Sequence, residues 1–395
     1  MRPALEARRV AVTGIGVLAA CGIGRDEFWA GLLAPQPTAE RRIAGFEPEK
    51  FFDNPKEAKR TDRFAQIALA AAAEALEQAG DVGVDPARGG VLLGTGVGGL
   101  ETLETQIVAR HEKGERRVSP FLVPMMMSNA ASAALSMRYG WQGPCETTVT
   151  ACSAATHAIG TAARLIAYGR CDAALTGGSE AAMTITGMAG FRNMTALSTS
   201  GVSRPFDAER DGFVMSEGAA VLVLEEWSAA EARGATILAE ILGAASNADA
   251  HHITAPSPGG AGAIACMEQA LADAGLTPAD IVYINAHGTS TPLNDAAEAE
   301  GIAKLFGTPG PIVTSTKGVT GHALGAAGAL EAAAVVLSMA HGVIPPTDGT
   351  KAVDAALPAI DLVLKEPRPW TPGPSLSNSF GFGGHNGCVI LGPPA

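Results

Sequence analysis

The chain repeats itself, and the repeat restricts the folds open to it more than any other feature. Glu74-Ala-Leu-Glu-Gln-Ala-Gly80, followed by an Asp-Pro-Ala segment and a short apolar run into Gly94-Thr-Gly96, is echoed further on. The echo is Gln269-Ala-Leu-Ala-Asp-Ala-Gly275, a Thr-Pro-Ala-Asp segment and Ile281-Val-Tyr-Ile-Asn285. A second pair sets Cys152-x4-His157-Ala-x-Gly160-x-Ala162 against Lys317-x4-His322-Ala-x-Gly325-x-Ala327. Two matched pairs in the same order imply two copies of one unit, meeting after the run that ends at Glu225. The landmarks are 195 residues apart in the first pair (80 to 275) and 165 in the second (152 to 317), so the first copy carries 30 extra residues. They fall most simply around Leu100 to Met127. An insertion in one copy only suits an element that caps a site or meets a second subunit.

Each copy alternates helix-period segments with short β-rich runs. Phe64 to Ala79 predicts an Ala/Leu helix closed by Gly80, while Gly90–Gly94, Cys171–Gly177 and Ala220–Glu225 predict buried strands. This is the pattern of an α/β chain with parallel or mixed sheets covered by helices. A hydrophobic share of 47% against 17% charged residues is enough to fill a large interior and excludes disorder. The net charge of −12 argues against coating nucleic acid. Six scattered cysteines without a Cys-x-x-Cys or zinc spacing predict no metal site and a reducing, cytoplasmic setting. Arg8-Arg9 before the apolar Val10–Cys21 imitates a signal peptide, but Thr13, Gly14, Gly16 and Gly22 mark a buried strand and its turn. No apolar run reaches the roughly 20 residues of a membrane span, so no membrane partner is expected.

Cys152 stands where a strand hands over to a helix rich in small residues. There the helix dipole and free N–H groups are expected to lower the thiol pKa and offer an oxyanion hole. Its counterpart in the second copy, Lys317, is also a reactive type. The other cysteines read as buried small hydrophobes. His287, in Asn-Ala-His-Gly-Thr-Ser-Thr, ends a strand, and His322 heads the helix paired with the cysteine helix. Two histidines at matching mouths of a duplicated fold, facing a helix-tip cysteine, point to one site. His251-His252 reads as loop surface, and His111, His157 and His341 as surface, core or supporting residues. Gly94-Thr-Gly-Val-Gly-Gly99 fits a dinucleotide pattern, yet no acidic residue follows a strand about 20 positions on, which disfavours a nucleotide. Asn378-Ser-Phe-Gly-Phe-Gly-Gly-His-Asn386 is glycine-dense beyond packing needs and suggests a gate or a close backbone approach to substrate.

These motifs in this order resemble the β-ketoacyl-[acyl-carrier-protein] synthases of the elongating type I/II, over nearly the full chain. The resemblance implies the thiolase fold, a duplicated five-layer αβαβα body with mixed sheets. Its halves would be residues 1–235, with the nucleophile and a capping insertion at about 100–130, and 236–395, with both histidines and the glycine-rich gate. It implies a Cys152-His287-His322 enzyme. Cys152 would hold the acyl chain as a thioester, the N–H groups of Cys152 and Phe382 the oxyanion, and both histidines the malonyl thioester oxygen. Lys317 and Glu331 would support the histidines. Thr289 and Thr291 would contact the phosphopantetheine arm, which acyl carrier protein brings; the enzyme itself would bind no cofactor. Val97 and Phe191 would line the acyl pocket, Phe382 would gate it, and Phe121 with Met125-Met126-Met127 would lie near a dimer interface. Lys56, Lys59, Arg60, Arg116 and Arg117 resemble the patch that meets acyl carrier protein.

A homodimer is expected, with a heterodimer alongside a chain-length factor as the alternative for a type II polyketide or polyene ketosynthase. Degradative thiolases need a late Cys-x-Gly cysteine, which Cys388 does not supply, and initiating ketosynthases pair His with Asn. A non-catalytic carrier-binding scaffold is the remaining alternative. The chain departs from the family pattern at Thr195, at His385 and at Met215-Ser216-Glu217.

Overall fold

Val10–Ala19 (β1) is buried along its whole length, and its glycines show why. A Cβ at Gly14 would stand 2.1 Å from the carbonyl oxygen of Ala75, and one at Gly16 1.9 Å from that of Ala71. The alanine face of helix Arg63–Ala79 (α1) therefore lies directly on the strand. The Asp62 carboxylate caps this helix by accepting from Phe64 N–H, and it stops at Gly80, whose φ is 72°. The structure is a computed structural model and describes residues 7–34 and 41–394.

Two strand blocks follow one plan. In the first, β1 is joined by Gly89–Gly94 (β2), Cys145–Thr148 (β3), Ala173–Glu180 (β4) and Gly218–Glu226 (β5), in the spatial order β1-β5-β4-β2-β3. In the second, Ala239–Ala248 (β6), Tyr283–Asn285 (β7), Ile312–Thr314 (β8), Ser375–Gly381 (β9) and His385–Gly392 (β10) take the order β6-β10-β9-β7-β8. In both blocks the pairings nearest the centre are antiparallel and the two outermost are parallel. The blocks meet where β1 pairs with β6, through Ala11 with Glu240 and Val12 with Ala239. This is the mixed-sheet α/β architecture expected.

Helices make the other layers. On the outer face of the first block lies α1. Between β2 and β3 the chain runs through Leu100–Lys113 (α2), Leu122–Met126 (α3) and Ala130–Tyr139 (α4). Ala154–Ala167 (α5) enters the space between the sheets, while Ala261–Ala274 (α6) and Pro292–Phe306 (α7) cover the far side of the second block. Lys317–Thr320 (α8) is a single turn, and Ala327–His341 (α9) runs beside α5 in the middle layer. Strand alternation makes this possible: Val91 and Leu93 pack outward with α1, while Leu92 between them packs inward with α5 and α9. By length and hydropathy Leu324–His341 could cross a membrane, but 89% of that window is buried inside the protein. A helix apolar all round belongs in such a middle layer.

The extra residues of the first copy lie between β2 and β3, where α2, α3 and α4 stand against the single helix α7 of the second. The second landmark of the repeat needs correction. The turn Ala151–Ser153 that opens α5 matches the turn Leu324–Ala326 that opens α9, and each begins at a residue held at positive φ, Ala151 at 50° and Leu324 at 44°. Cys152 therefore corresponds to Gly325 and not to Lys317, which sets these landmarks 173 residues apart and cuts the excess of the first copy from 30 residues to 22 (195 less 173). The short helix α8, with Lys317 and the following His322, is an added turn between β8 and its helix. The shared His-Ala-x-Gly spacing joins positions that are not equivalent: Gly160 lies within α5, where a Cβ would meet Ala244 at 2.8 Å, and Gly325 in the turn before α9, where one would meet Gly96 N at 2.0 Å.

Candidate active site

The reacting groups come from the C-terminal ends of three parallel strands. Past β3 the strained turn at Ala151 presents Cys152, past β7 the chain reaches His287, and past β8 the turn α8 carries Lys317 and leads to His322. All four side chains are buried. Cys152 Sγ lies 3.0 Å from His322 Nε2, and Sγ with one nitrogen of each histidine fall within 4.8 Å of one another. The two imidazoles meet edge to face at 5.3 Å, and Phe213 abuts His322 at 5.2 Å.

Lys317 organises the charge. Its Nζ forms an ion pair with Glu331, donates to the carbonyl of His287 at 2.6 Å and lies 3.2 Å from His287 Nδ1. An ammonium only donates, so His287 Nδ1 accepts and the ring proton sits on Nε2. Burial and the Lys317 charge hold His287 and His322 well below the usual imidazole value, and both rings are neutral. The Cys152 thiol moves opposite to the sequence expectation. Burial pushes it up to about 11, with the Glu180 and Glu331 carboxylates adding to the rise, while Lys317 and the Phe382 N–H oppose it without prevailing. Cys152 sits in the turn before α5 in a fully desolvated place, and loss of water outweighs the dipole. The resting pair is thus a thiol against a neutral imidazole. One thiol and two imidazoles also form a donor set for a borderline-soft metal ion, but the Lys317 ammonium beside His287 repels a cation.

Glycine lets the gate strand reach the sulfur. A Cβ at Gly381 would stand 3.0 Å from Cys152 N and 2.9 Å from Thr150 O, and the Phe382 N–H just beyond points at the thiol. Gly383 and Gly384 both have positive φ, 85° and 73°. The triad opens on a cavity of about 410 Å³. Phe191, Phe213, Leu324 and Phe382 give it an apolar end, and Thr289 and Thr291, their hydroxyls 2.9 Å apart, a polar one. Val97 is not brought in: it is 40% exposed and lies with Phe121, Val123 and Met127 on the outer surface. No residue of 100–130 lines the cavity. Lys56, Lys59, Arg60, Arg116 and Arg117 are all exposed, with Arg60 over the Phe121 ring at 4.7 Å. The glycines of the dinucleotide-like loop serve packing, since a Cβ at Gly94 would stand 2.3 Å from Ala154 backbone at the start of α5.

Sequence reasoning missed three supports. Glu298, buried on α7, accepts from the backbone N–H groups of His287 and Gly288 at 2.8 Å each and so fixes the loop that carries the histidine. Its signal was present: Asp295 and Glu298 share the buried face of a helix, where an acid needs a partner. The departing segment Met215-Ser216 braces His322, whose N–H donates to Val214 O at 2.7 Å and whose carbonyl accepts from Ser216 N at 3.1 Å. Glu180, wholly buried at the end of β4, joins the loops of both halves. Of the other departures, Thr195 lines the cavity at φ 57° and the His385 ring packs under Gly383.

Comparison with known proteins agrees with this geometry. The family model for the β-ketoacyl synthase N-terminal domain matches residues 37–230, and that for the C-terminal domain residues 238–351. The chain belongs to the β-ketoacyl synthase family. Among curated β-ketoacyl synthases, the 3-oxoacyl-[acyl-carrier-protein] synthase 2 of Vibrio cholerae is 43% identical over 98% of this chain and 99% of its own length. The enzyme of the same name from Synechocystis is 42% identical over 97% of each. Among solved structures of the family, the ishigamide ketosynthase/chain length factor superposes with a TM-score of 0.92 at 32% identity, covering 98% of this chain and 100% of that one. A type II polyketide ketosynthase solved with its acyl-carrier protein gives 0.88 at 28%, again covering 98% and 100%. The thiolase-type fold expected from the motifs is the fold these β-ketoacyl synthases share.

Proposed function

We propose that the protein is a β-ketoacyl-[acyl-carrier-protein] synthase of fatty-acid elongation, a condensing acyltransferase. One observation carries the reading: a buried thiol 3.0 Å from a neutral imidazole, a second imidazole beside it, and an apolar cavity in front. In the first step Cys152 attacks the thioester carbonyl of an acyl carrier protein, and the thiol proton passes by way of His322 to the departing phosphopantetheine sulfur. The N–H groups of Cys152 and Phe382 hold the oxyanion. Malonyl carrier protein then enters along Thr289 and Thr291. Its carboxylate leaves as CO₂ while the thioester oxygen takes hydrogen bonds from His287 Nε2–H and from His322 in the tautomer that carries its proton on Nε2, reached by proton exchange with solvent after the thiol proton has left. The enolate carbon attacks the acyl carbonyl, the C–S bond breaks, and the Cys152 thiolate takes up one proton from water. Lys317 and Glu331 keep His287 oriented, and the cofactor arm comes and goes with the carrier.

Phe191 and Phe382 bound the acyl chain, and Lys56, Lys59, Arg60, Arg116 and Arg117 receive the carrier. Residues 1–235 and 236–395 are the two halves that meet over the site. Two copies pair through the open edge of β3 and the exposed apolar side chains near it, Val97, Val123, Met127, Met137 and Val149, with residues 100–130 forming part of that face. Six free thiols suit the cytoplasm. The chain-length-factor heterodimer of polyketide synthesis is the second reading, favoured by the 0.92 superposition on such a ketosynthase. The higher identity to 3-oxoacyl synthase 2 ranks elongation first.

Intact mass after incubation with acyl carrier protein tests the assignment. The wild type is expected to gain one acyl group and Cys152→Ala none; an adduct that survives Cys152→Ala overturns it. Starting from acyl-enzyme, His287→Ala and His322→Ala are expected to slow CO₂ release from malonyl carrier protein by about 100-fold. Release at the wild-type rate in both removes the roles given to them.

A further inference from the structure

Glu180 is a buried carboxylate with no cation among its hydrogen-bond partners in the described residues. Its Oε2 accepts from Gly96 N at 2.5 Å and from Gly325 N at 3.1 Å, and its Oε1 from Thr95 Oγ1 at 3.2 Å. Gly96 belongs to the loop after β2 in the first half of the molecule. Gly325 belongs to the turn Leu324–Ala326 in the second half, three residues beyond His322. The two backbones touch: a Cβ at Gly325 would stand 2.0 Å from Gly96 N and 2.3 Å from Thr95 C. Two N–H groups from different halves thus converge on one oxygen, and without an acceptor between them both would be buried and unpaired. The turn so held is under strain, because Leu324 keeps a φ of 44°, and it packs against the turn that carries Cys152. Leu324 also lines the cavity beside the thiol.

We propose that Glu180 is a positioning residue for condensation, an acceptor that locks the two halves together at Gly96 and Gly325 and so sets His322 and Leu324 against Cys152. The proposal rests on the reading of Cys152 and His322 as the reacting pair. It explains why a carboxylate whose burial pushes it up to about 7 is kept there: its partners are the two loops and not a charge. Small displacements of such groups carry large rate penalties.

The test uses the full chain and three substitutions. Glu180→Leu removes the acceptor and is expected to lower kcat by at least about tenfold while KM for malonyl carrier protein stays within about twofold, since Thr289, Thr291 and Glu298 are untouched. Glu180→Gln keeps a carbonyl oxygen in place of the carboxylate and is expected to recover most of the loss. Gly325→Ala attacks the same joint from the other side and is expected to reproduce the kcat defect, which keeps the proposal testable should Glu180→Leu not fold. Wild-type kcat in folded Glu180→Leu or in Gly325→Ala overturns the proposal, as does an equal loss in the Leu and Gln variants. Acylation of wild-type Cys152, followed by intact mass, is the separate control on the condensing-enzyme reading itself.

Discussion

At Cys152 two groups of forces compete, and their balance decides how the thiol reacts. Burial and the carboxylates of Glu180 and Glu331 favour the neutral form; Lys317 and the Phe382 N–H favour the thiolate; the neutral form wins. Deprotonation therefore accompanies attack, with His322 as the partner 3.0 Å away. The acylation rate is expected to stay flat from about pH 8 to 9.5, above the buried carboxyls of Glu180, Glu298 and Glu331, which desolvation pushes up to about 7, and below the thiol, with neither imidazole gaining a proton. Imidazole NMR signals of His322 that titrate near the ordinary value of about 6.5 would sink this account. The same depression gives stability a sign. What these histidines contribute is complete above the ordinary imidazole value near 6.5 and is lost as pH falls through their lower folded values. Cys152, His287 and His322 were legible in the sequence as candidates because reactive side chains stood in small-residue segments at strand ends, whereas Lys317 and Glu331 came as a supporting pair only through the family resemblance, Glu331 lying inside α9. The direction of the thiol shift was not, because desolvation depends on what both halves stack over Cys152.

Strands and helices were legible where composition and period agreed. β2, β4 and β5 follow from apolar runs bounded by glycine, and α1 follows from its alanine face and Gly80. The turn α8 was not, since four residues carry no period, and its insertion shifted the apparent match of Cys152 to Lys317. Closeness of strand and helix is a property of glycine and alanine together. Gly16→Ala would drive a methyl against the Ala71 carbonyl and is expected to destabilise the protein by about 3 kcal/mol, read as a lower denaturant midpoint. An unchanged midpoint would mean that α1 can lift from β1 without penalty. At Gly45, with φ 70°, an added Cβ would meet no atom of the described residues within 4 Å, so crowding plays no part there.

For the whole molecule, charge bears on the carrier contact proposed above and exposed apolar surface on the proposed dimer face. A chain of net charge −12 repels an acidic carrier except where cations gather. Replacing Lys59 and Arg60 by Glu is expected to raise KM for acyl carrier protein by about tenfold at low salt, with the effect shrinking toward 0.5 M salt as screening sets in. A salt-independent defect would place the carrier elsewhere. Met137→Glu with Val149→Glu is expected to convert a dimer to a monomer in sedimentation, and an unchanged mass would free that face from the interface. Val97 illustrates what one chain cannot express: a residue that resembles a pocket position stands on the outside, and reaches substrate only if a second copy covers it. The middle layer has a consequence for how the protein is made. The first sheet is complete once Glu226 has been synthesised, but its inner face needs α9, which ends at His341. At ribosomal speeds the nascent half waits on the order of ten seconds with an apolar surface bare. During that interval the chain shows the kind of surface that chaperones bind, so its yield in a cell is expected to rise with their supply.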